Sequence, residues 1–105
     1  MVVQADLSGR IKVFDAEFCH VLGYEPDDLH DKSIIDITEN EYKSVTTVMF
    51  DNAVRTGTGF TLEKVFCDAS GGSVPALVHV CALRDERMNI SAMVAIVQSR
   101  CRWEA

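Results

Sequence analysis

No apolar run in this chain approaches the ~20 residues that a helix needs to cross a bilayer, and none of its four cysteines stands in a Cys-x-x-Cys spacing. The first absence argues against a helical membrane span. The second removes the usual zinc and redox-motif frameworks. Positive charge is scarce too: 10 Lys and Arg face 16 Asp and Glu, for a formal net charge of −6. The basic residues (Arg10, Lys12, Lys32, Lys43, Arg55, Lys64, Arg84, Arg87, Arg100 and Arg102) form no dense run. Neither nucleic acid nor an anionic membrane surface is therefore expected as the main partner. The opening MVVQADLSGRIK lacks the apolar core and cleavage site of a signal peptide, so reduced thiols and a cytoplasmic setting are expected. Internal repeats and low-complexity tracts are also missing.

What is present is the balance of an ordinary globular domain: 105 residues, 48% hydrophobic and 25% charged, enough for one core. Residues 1–6 read as a strand. Asp6-Leu7-Ser8-Gly9 supplies the acceptors and glycine of a tight turn, and Arg10 to Val13 alternate as a second strand. The period then becomes helical, with Phe14, Phe18, Val21 and Leu22 spaced for one face, Asp15 placed to cap and Gly23 to terminate. Pro26-Asp27-Asp28 opens a second helix, with proline in the first turn and two carboxylates at the positive end of the dipole. Ser33 to Ile37 forms a further short turn. Thr38-Glu39-Asn40-Glu41 reads as a capping box. It opens a long helix that ends at Gly57, with Tyr42, Val45, Val48, Met49 and Ala53 on its apolar side.

Three strands follow, at 60–68, 73–84 and 90–98, with a turn at Ala69-Ser70-Gly71-Gly72 between the first two. The last is apolar at nearly every position from Ala92 to Val97, which predicts a central strand buried on both faces. One alternation groups Phe60, Leu62, Phe66, Leu77, Leu83 and Met93; the other groups Val65, Val74, Val78, Val80, Val94 and Ile96. If the turns centre just after Ser70 and around Arg87, then Leu62, His79 and Ala95 lie abreast, with Phe60, Cys81 and Met93 as the next row. Residues 99–105 read as a linker or the start of a flanking helix.

No arrangement for catalysis emerges. Cys19 and His20 are neighbours on a helix, about 100° apart around its axis, and cannot readily face each other. His20, His30 and His79 lie on different elements, and no pair has a zinc-ligand spacing. The carboxylates gather at helix starts and turns, where capping accounts for them.

Three stretches together resemble the PAS (Per-Arnt-Sim) domain family: Asp6-Leu7-Ser8-Gly9-Arg10-Ile11, then the LGYEPDDL of Leu22 to Leu29 with Asp31-Lys32-Ser33-Ile34-Ile35-Asp36-Ile37, and last Glu63 through Val74 with its Gly71-Gly72 turn. The resemblance covers nearly all of residues 1–98. It departs at Asp15, where the family often has asparagine, and at Asp31, which replaces a glycine. The last strand runs into Val97-Gln98-Ser99-Arg100 in place of the common Asp-Ile-Thr ending. The resemblance implies an α+β fold: a five-stranded antiparallel sheet in order 2-1-5-4-3 with helices packed on one face. It also implies a sensory or protein-interaction domain of a larger signalling protein, such as a histidine kinase of a two-component system, passing a small-molecule or partner signal to an output domain. Such domains are rarely enzymes themselves.

A haem- or flavin-binding redox or gas sensor on the same fold is the alternative that the resemblance implies, but neither cofactor is signalled. The resemblance implies a histidine on the long helix for one haem-binding branch, and none lies between Glu41 and Gly57. It implies a reactive cysteine near Ile34 for the flavin photoreceptor branch, and a tryptophan near the pocket for other flavin binders, whereas the only tryptophan is Trp103. A ligand pocket would draw on Ile37, Val45, Met49, Phe60, Leu62, His79, Cys81, Met93 and Ala95. His79 points into it if its sheet face looks onto the helices, and is a surface or interface residue if that face is turned away. Both faces of the last three strands are apolar and helices can cover only one, so a homodimer or packing against flanking segments is expected.

Overall fold

The computed structural model describes residues 1–100; the expected linker or flanking helix at 99–105 lies outside them from Cys101 onward. The chain runs β1 (Val2–Ala5), β2 (Ile11–Phe14), α1 (Ala16–Leu22), α2 (Pro26–His30), α3 (Asn40–Thr56), β3 (Phe60–Cys67), β4 (Ser73–Arg84) and β5 (Ile90–Ser99). The strands form one antiparallel sheet in the order β2-β1-β5-β4-β3, with β5 central as expected.

Each hairpin turns on an aspartate. Asp6 Oδ1 accepts from the Ser8 backbone N–H, the Ser8 hydroxyl and the Arg10 N–H. Asp68 Oδ1 repeats this with Ser70 and Gly72, and Asp85 Oδ1 with the N–H groups of Arg87 and Asn89. The short acidic side chain replaces backbone partners in a tight loop. The Ser8 hydroxyl holds the Asp6 carboxyl below 3.8, and the Ser70 hydroxyl, aided by the Gly72 N–H, does the same for Asp68. Stability from these depressed groups is fully present above pH 3.8 and is lost as pH falls through their lower folded values. An acid titration of Asp6→Asn should accordingly show a weaker loss of stability below pH 4 than the wild type.

Helix α1 starts where Asp15 Oδ1 accepts from the Phe18 N–H at 2.9 Å, and Asp15 Oδ2 accepts from Val2 N–H at 3.0 Å. One carboxylate thus caps a helix and pins the first strand. Gly23, at φ 76°, ends the helix in the left-handed conformation that costs glycine least. Asp15→Ala should cost about 0.5–2 kcal/mol, the range for a lost N-cap. Asp15→Asn, which keeps one acceptor oxygen for two donors, should cost less; urea unfolding of the pair checks this.

The long helix departs from expectation at both its start and its face. Thr38 is not its cap. The backbone from Ile37 to Glu39 runs beside β3, with Cys67 N–H donating to Ile37 O and Glu39 N–H to Val65 O, so Thr38 forms a bridge opposite Phe66. This extended pairing occupies part of the β3 edge, and α3 begins only at Asn40, without a side-chain cap. The buried residues of α3 are Thr46, Phe50 and Ala53, while Val45 and Val48 are 39% and 65% exposed. The docked face is rotated by about one residue, or 100°, from the expected one. The shape of the sheet selects this face, with Phe50 and Ala53 packing against Met93.

The sheet register also differs from expectation by one residue. The β3–β4 turn centres on Ser70, so that Cys67 faces Ser73 and Thr61 faces His79. A bulge between Leu83 and Arg84 shifts β5, so His79 faces Ile96, while Val80 faces Ala95. A slip of one residue moves a side chain to the other face. Phe60, Leu62, Phe66, Val78, Val80, Met93 and Ala95 therefore look onto the helices. Leu77, His79, Cys81, Leu83, Val94 and Ile96 look away, and both expected alternation groups are mixtures. Ile96 is 44% exposed, so β5 is central but not buried on both faces within one chain. The main core sits between α1, α2 and the sheet, around Phe18, Leu22, Leu29, Ile37 and Phe66.

Candidate functional site

A small, partly open cavity of about 30 Å³ lies between α3 and the inner face of the sheet. Helix α3 contributes Thr46 and Phe50, β3 contributes Phe60, Leu62, Lys64 and Phe66, and β4 and β5 contribute Val78, Val80, Met93 and Ala95. The period of two along β3 and the antiparallel pairing bring these side chains to one face. The volume is close to one water's share of liquid, and the lining is apolar except at two residues.

Those two are Lys64 and Thr46, with 4% and 3% of their surface exposed. Lys64 Nζ donates to Thr38 Oγ1 at 3.0 Å, and the Thr38 hydroxyl spends its own proton on Ile34 O at 2.8 Å. The ammonium also lies 4.7 Å from the Phe66 ring centroid, within cation–π range. Among the described residues no carboxylate pairs with it. Burial, which disfavours the charged form, pushes its pKa from 10.5 down to about 8. Thr46 Oγ1 is buried with no hydrogen-bond partner.

Of the residues expected from sequence, Phe60, Leu62, Met93 and Ala95 line this cavity. Ile37 is fully buried in the adjoining core. Met49 is half-buried on the flank of α3, and Val45 points to solvent, both because the helix is rotated. His79 and Cys81 are exposed on the opposite face, because the register is shifted by one. His79 Nδ1 lies 3.1 Å from the Thr61 hydroxyl, its cross-strand neighbour. The sequence shows Lys64 only as one of the scattered basic residues. The signal that finds it is its parity: Phe60, Leu62, Lys64 and Phe66 alternate on one face of β3.

The Cys19 thiol donates to the Tyr24 carbonyl at 3.1 Å, while His20 is exposed. The neighbouring Leu22-Gly23-Tyr24 stretch is structural. Leu22 is buried and its carbonyl accepts from Ala69 N–H, and the Tyr24 hydroxyl donates to Cys67 O, fastening the α1–α2 corner to the β3–β4 turn. No cluster of His, Cys, Asp or Glu suited to a metal occurs among the described residues, and no helix of the described residues is long and apolar enough to cross a membrane.

Comparison with curated protein sequences finds no match. Among solved structures, the chain is similar to the Drosophila melanogaster Cycle PAS-B domain with bound ethylene glycol, with a TM-score of 0.84 at 13% identity over 93% of this chain and 97% of that one. It is similar to a PAS domain from Colwellia psychrerythraea, with a TM-score of 0.83 at 15% identity over 93% and 83%. The PAS domain of the fruit-fly ELK potassium channel follows, with a TM-score of 0.78 at 17% identity over 94% and 85%. At such identities the likeness speaks for the fold alone. The PAS fold family model, however, matches residues 1–100, and together with the sheet order and helix placement this establishes that the chain belongs to the PAS family of sensory domains.

Proposed function

We propose that this domain is the sensory part of a larger cytoplasmic signalling protein, and that occupancy of the cavity between α3 and the sheet is the signal it passes to an output domain. The observation that carries this reading is the space itself, bounded by the side chains of Met93, Leu62 and Phe60 under a single helix. Ethylene glycol bound in the Cycle PAS-B domain supports small guests as the relevant class. For a guest to act, it must bind two arrangements of the domain with different affinity; α3, which packs over the cavity through Thr46 and Phe50, is the element placed to differ. A haem or flavin reading gains nothing from this lining: about 30 Å³ is far below the several hundred that such groups occupy.

The test is an NMR titration of the protein with small neutral alcohols. Saturable shifts confined to the methyls of Leu62, Val80 and Met93, abolished by a cavity-filling Ala95→Leu variant, are the expected result. Shifts spread over the surface and indifferent to Ala95→Leu would sink the reading. Partner docking is a second route for the same domain, favoured by the outer sheet face, where Val13, Leu83 and Ile96 are 54%, 41% and 44% exposed. Self-association through this face predicts a concentration-dependent sedimentation coefficient that Ile96→Glu removes.

A further inference from the structure

We infer that the cavity is built for a small monocarboxylate, with its carboxylate on Lys64 Nζ and Thr46 Oγ1 and its short apolar tail toward Phe50 and Leu62. This rests on the ligand-sensing reading above and specifies the ligand's charge and size. Two independent observations meet in one cavity. The first is a buried cation to which no described residue supplies a counter-charge. An ammonium has three donors, and Thr38 is the one hydrogen-bond partner of Lys64 Nζ among the described residues. Thr38 is neutral, and with its proton given to Ile34 O it acts only as an acceptor. The second is the Thr46 hydroxyl, which is buried and unpartnered. A helical threonine commonly turns back to the carbonyl four residues earlier, and Thr46 does not. Both side chains line the same cavity.

A burial of this kind is costly as it stands and becomes favourable when an anion completes it. A buried charge needs pairing, and a buried donor left unmade costs free energy. A carboxylate has the lone pairs to accept from both groups. The size follows from the space: about 30 Å³ admits a water-sized group, so acetate requires lining side chains such as Met93 to shift, and butyrate requires more of them to do so. The ligand's attraction is local, since the net charge of −6 repels anions at long range.

The ionisable groups around Lys64 do not take this role. Glu39, ahead of α3, accepts from the Ser73 hydroxyl, and Glu63 on the other face of β3 pairs with Arg100 at 3.4 Å. Asp36, Glu41 and Lys43 line a separate surface cleft with Thr38, and Tyr42, Glu63 and Arg100 line another that Lys64 itself also borders. The β4 residue opposite Lys64 is Ala76.

The test titrates the protein with sodium acetate and sodium butyrate, and with acetamide and 1-butanol as neutral counterparts, at constant ionic strength and pH 7, following the Leu62, Val80 and Met93 methyls by NMR. Carboxylates should bind at least tenfold more tightly than their neutral counterparts. Lys64→Met and Lys64→Gln should each abolish that preference while 1-butanol still binds, and Thr46→Val should weaken it. Carboxylate affinity should fall between pH 7 and pH 9.5 as Lys64 loses its proton, with butanol unaffected. Equal binding of acetate and acetamide, or carboxylate binding indifferent to both Lys64 variants, would overturn the carboxylate assignment while leaving a cavity that senses small guests. Failure of all four probes to perturb the cavity would overturn both.

Discussion

Between pH 8 and pH 10 the folded domain should gain about 2 kcal/mol of stability from Lys64 alone, as the difference between a folded pKa of about 8 and an unfolded value of 10.5 requires. The folded value is lowered, because burial disfavours the ammonium. Below pH 8 both states hold the proton, and the desolvation cost is present in full. Between the two values the unfolded chain binds more protons than the folded one, so stability rises with pH. Tyr24 acts in the opposite sense but later: burial raises its pKa above 10.0, so its ionisation favours unfolding only above that value. Urea unfolding at half-unit steps from pH 7 to 10 reads the slope directly. Lys64→Met should flatten it and be more stable than the wild type at pH 7 by about 1–3 kcal/mol, because an apolar chain of similar length replaces a buried unpaired charge. Thr38 still donates to Ile34 O, so no orphan donor remains. A wild type with no rise, and a Lys64→Met variant less stable at pH 7, would refute the account.

The largest loss is expected at Phe66. Its ring is 98% removed from solvent, at 2% relative exposure. It meets Phe18 edge-on, with centroids 5.9 Å apart and planes at 89°, and Lys64 Nζ lies over its face. It thereby joins the core under α1 to the cavity under α3. Phe66→Ala should cost about 3–5 kcal/mol, a large part of the 5–15 kcal/mol that holds a domain of this size together. Phe66→Leu restores most of the volume and should cost about 1–2 kcal/mol. It also removes the π face that favours the charged lysine. The alkaline rise in stability should therefore begin at lower pH in Phe66→Leu than in wild type. Chemical denaturation of both variants across pH separates the packing loss from the loss of the cation–π contact.

Both predictions centre on one strand, and β3 also marks where sequence reading stopped. Its existence, its length and the turn after it follow from the alternation and from Asp68-Ala69-Ser70-Gly71-Gly72. Its partner residues do not. Moving the turn centre by half a residue and adding one bulge at Leu83/Arg84 transfers His79 and Cys81 from a cavity wall to an exposed face. No residue near His79 announces either event. The misplacement of Val45 has a similar origin: valines at 45 and 48 satisfy the helical period as well as Thr46 and Phe50 do, and the choice falls to the shape of the sheet below.

The features legible from the chain alone are those made by residues within a few positions of one another. They include the Asp15 cap, the glycine stop at Gly23, the aspartate turns, the order of strands and helices, and the family resemblance built from them. Four cavity residues, Phe60, Leu62, Met93 and Ala95, were reachable because alternation within a strand is also local. Tertiary structure alone decided the register between strands, the face that α3 presents, and the diversion of Thr38 from helix cap to β3 bridge. It also decided the burial of Lys64 with no counter-charge among the described residues. Each depends on contacts between residues far apart in sequence, and a one-residue shift in any of them exchanges inside for outside.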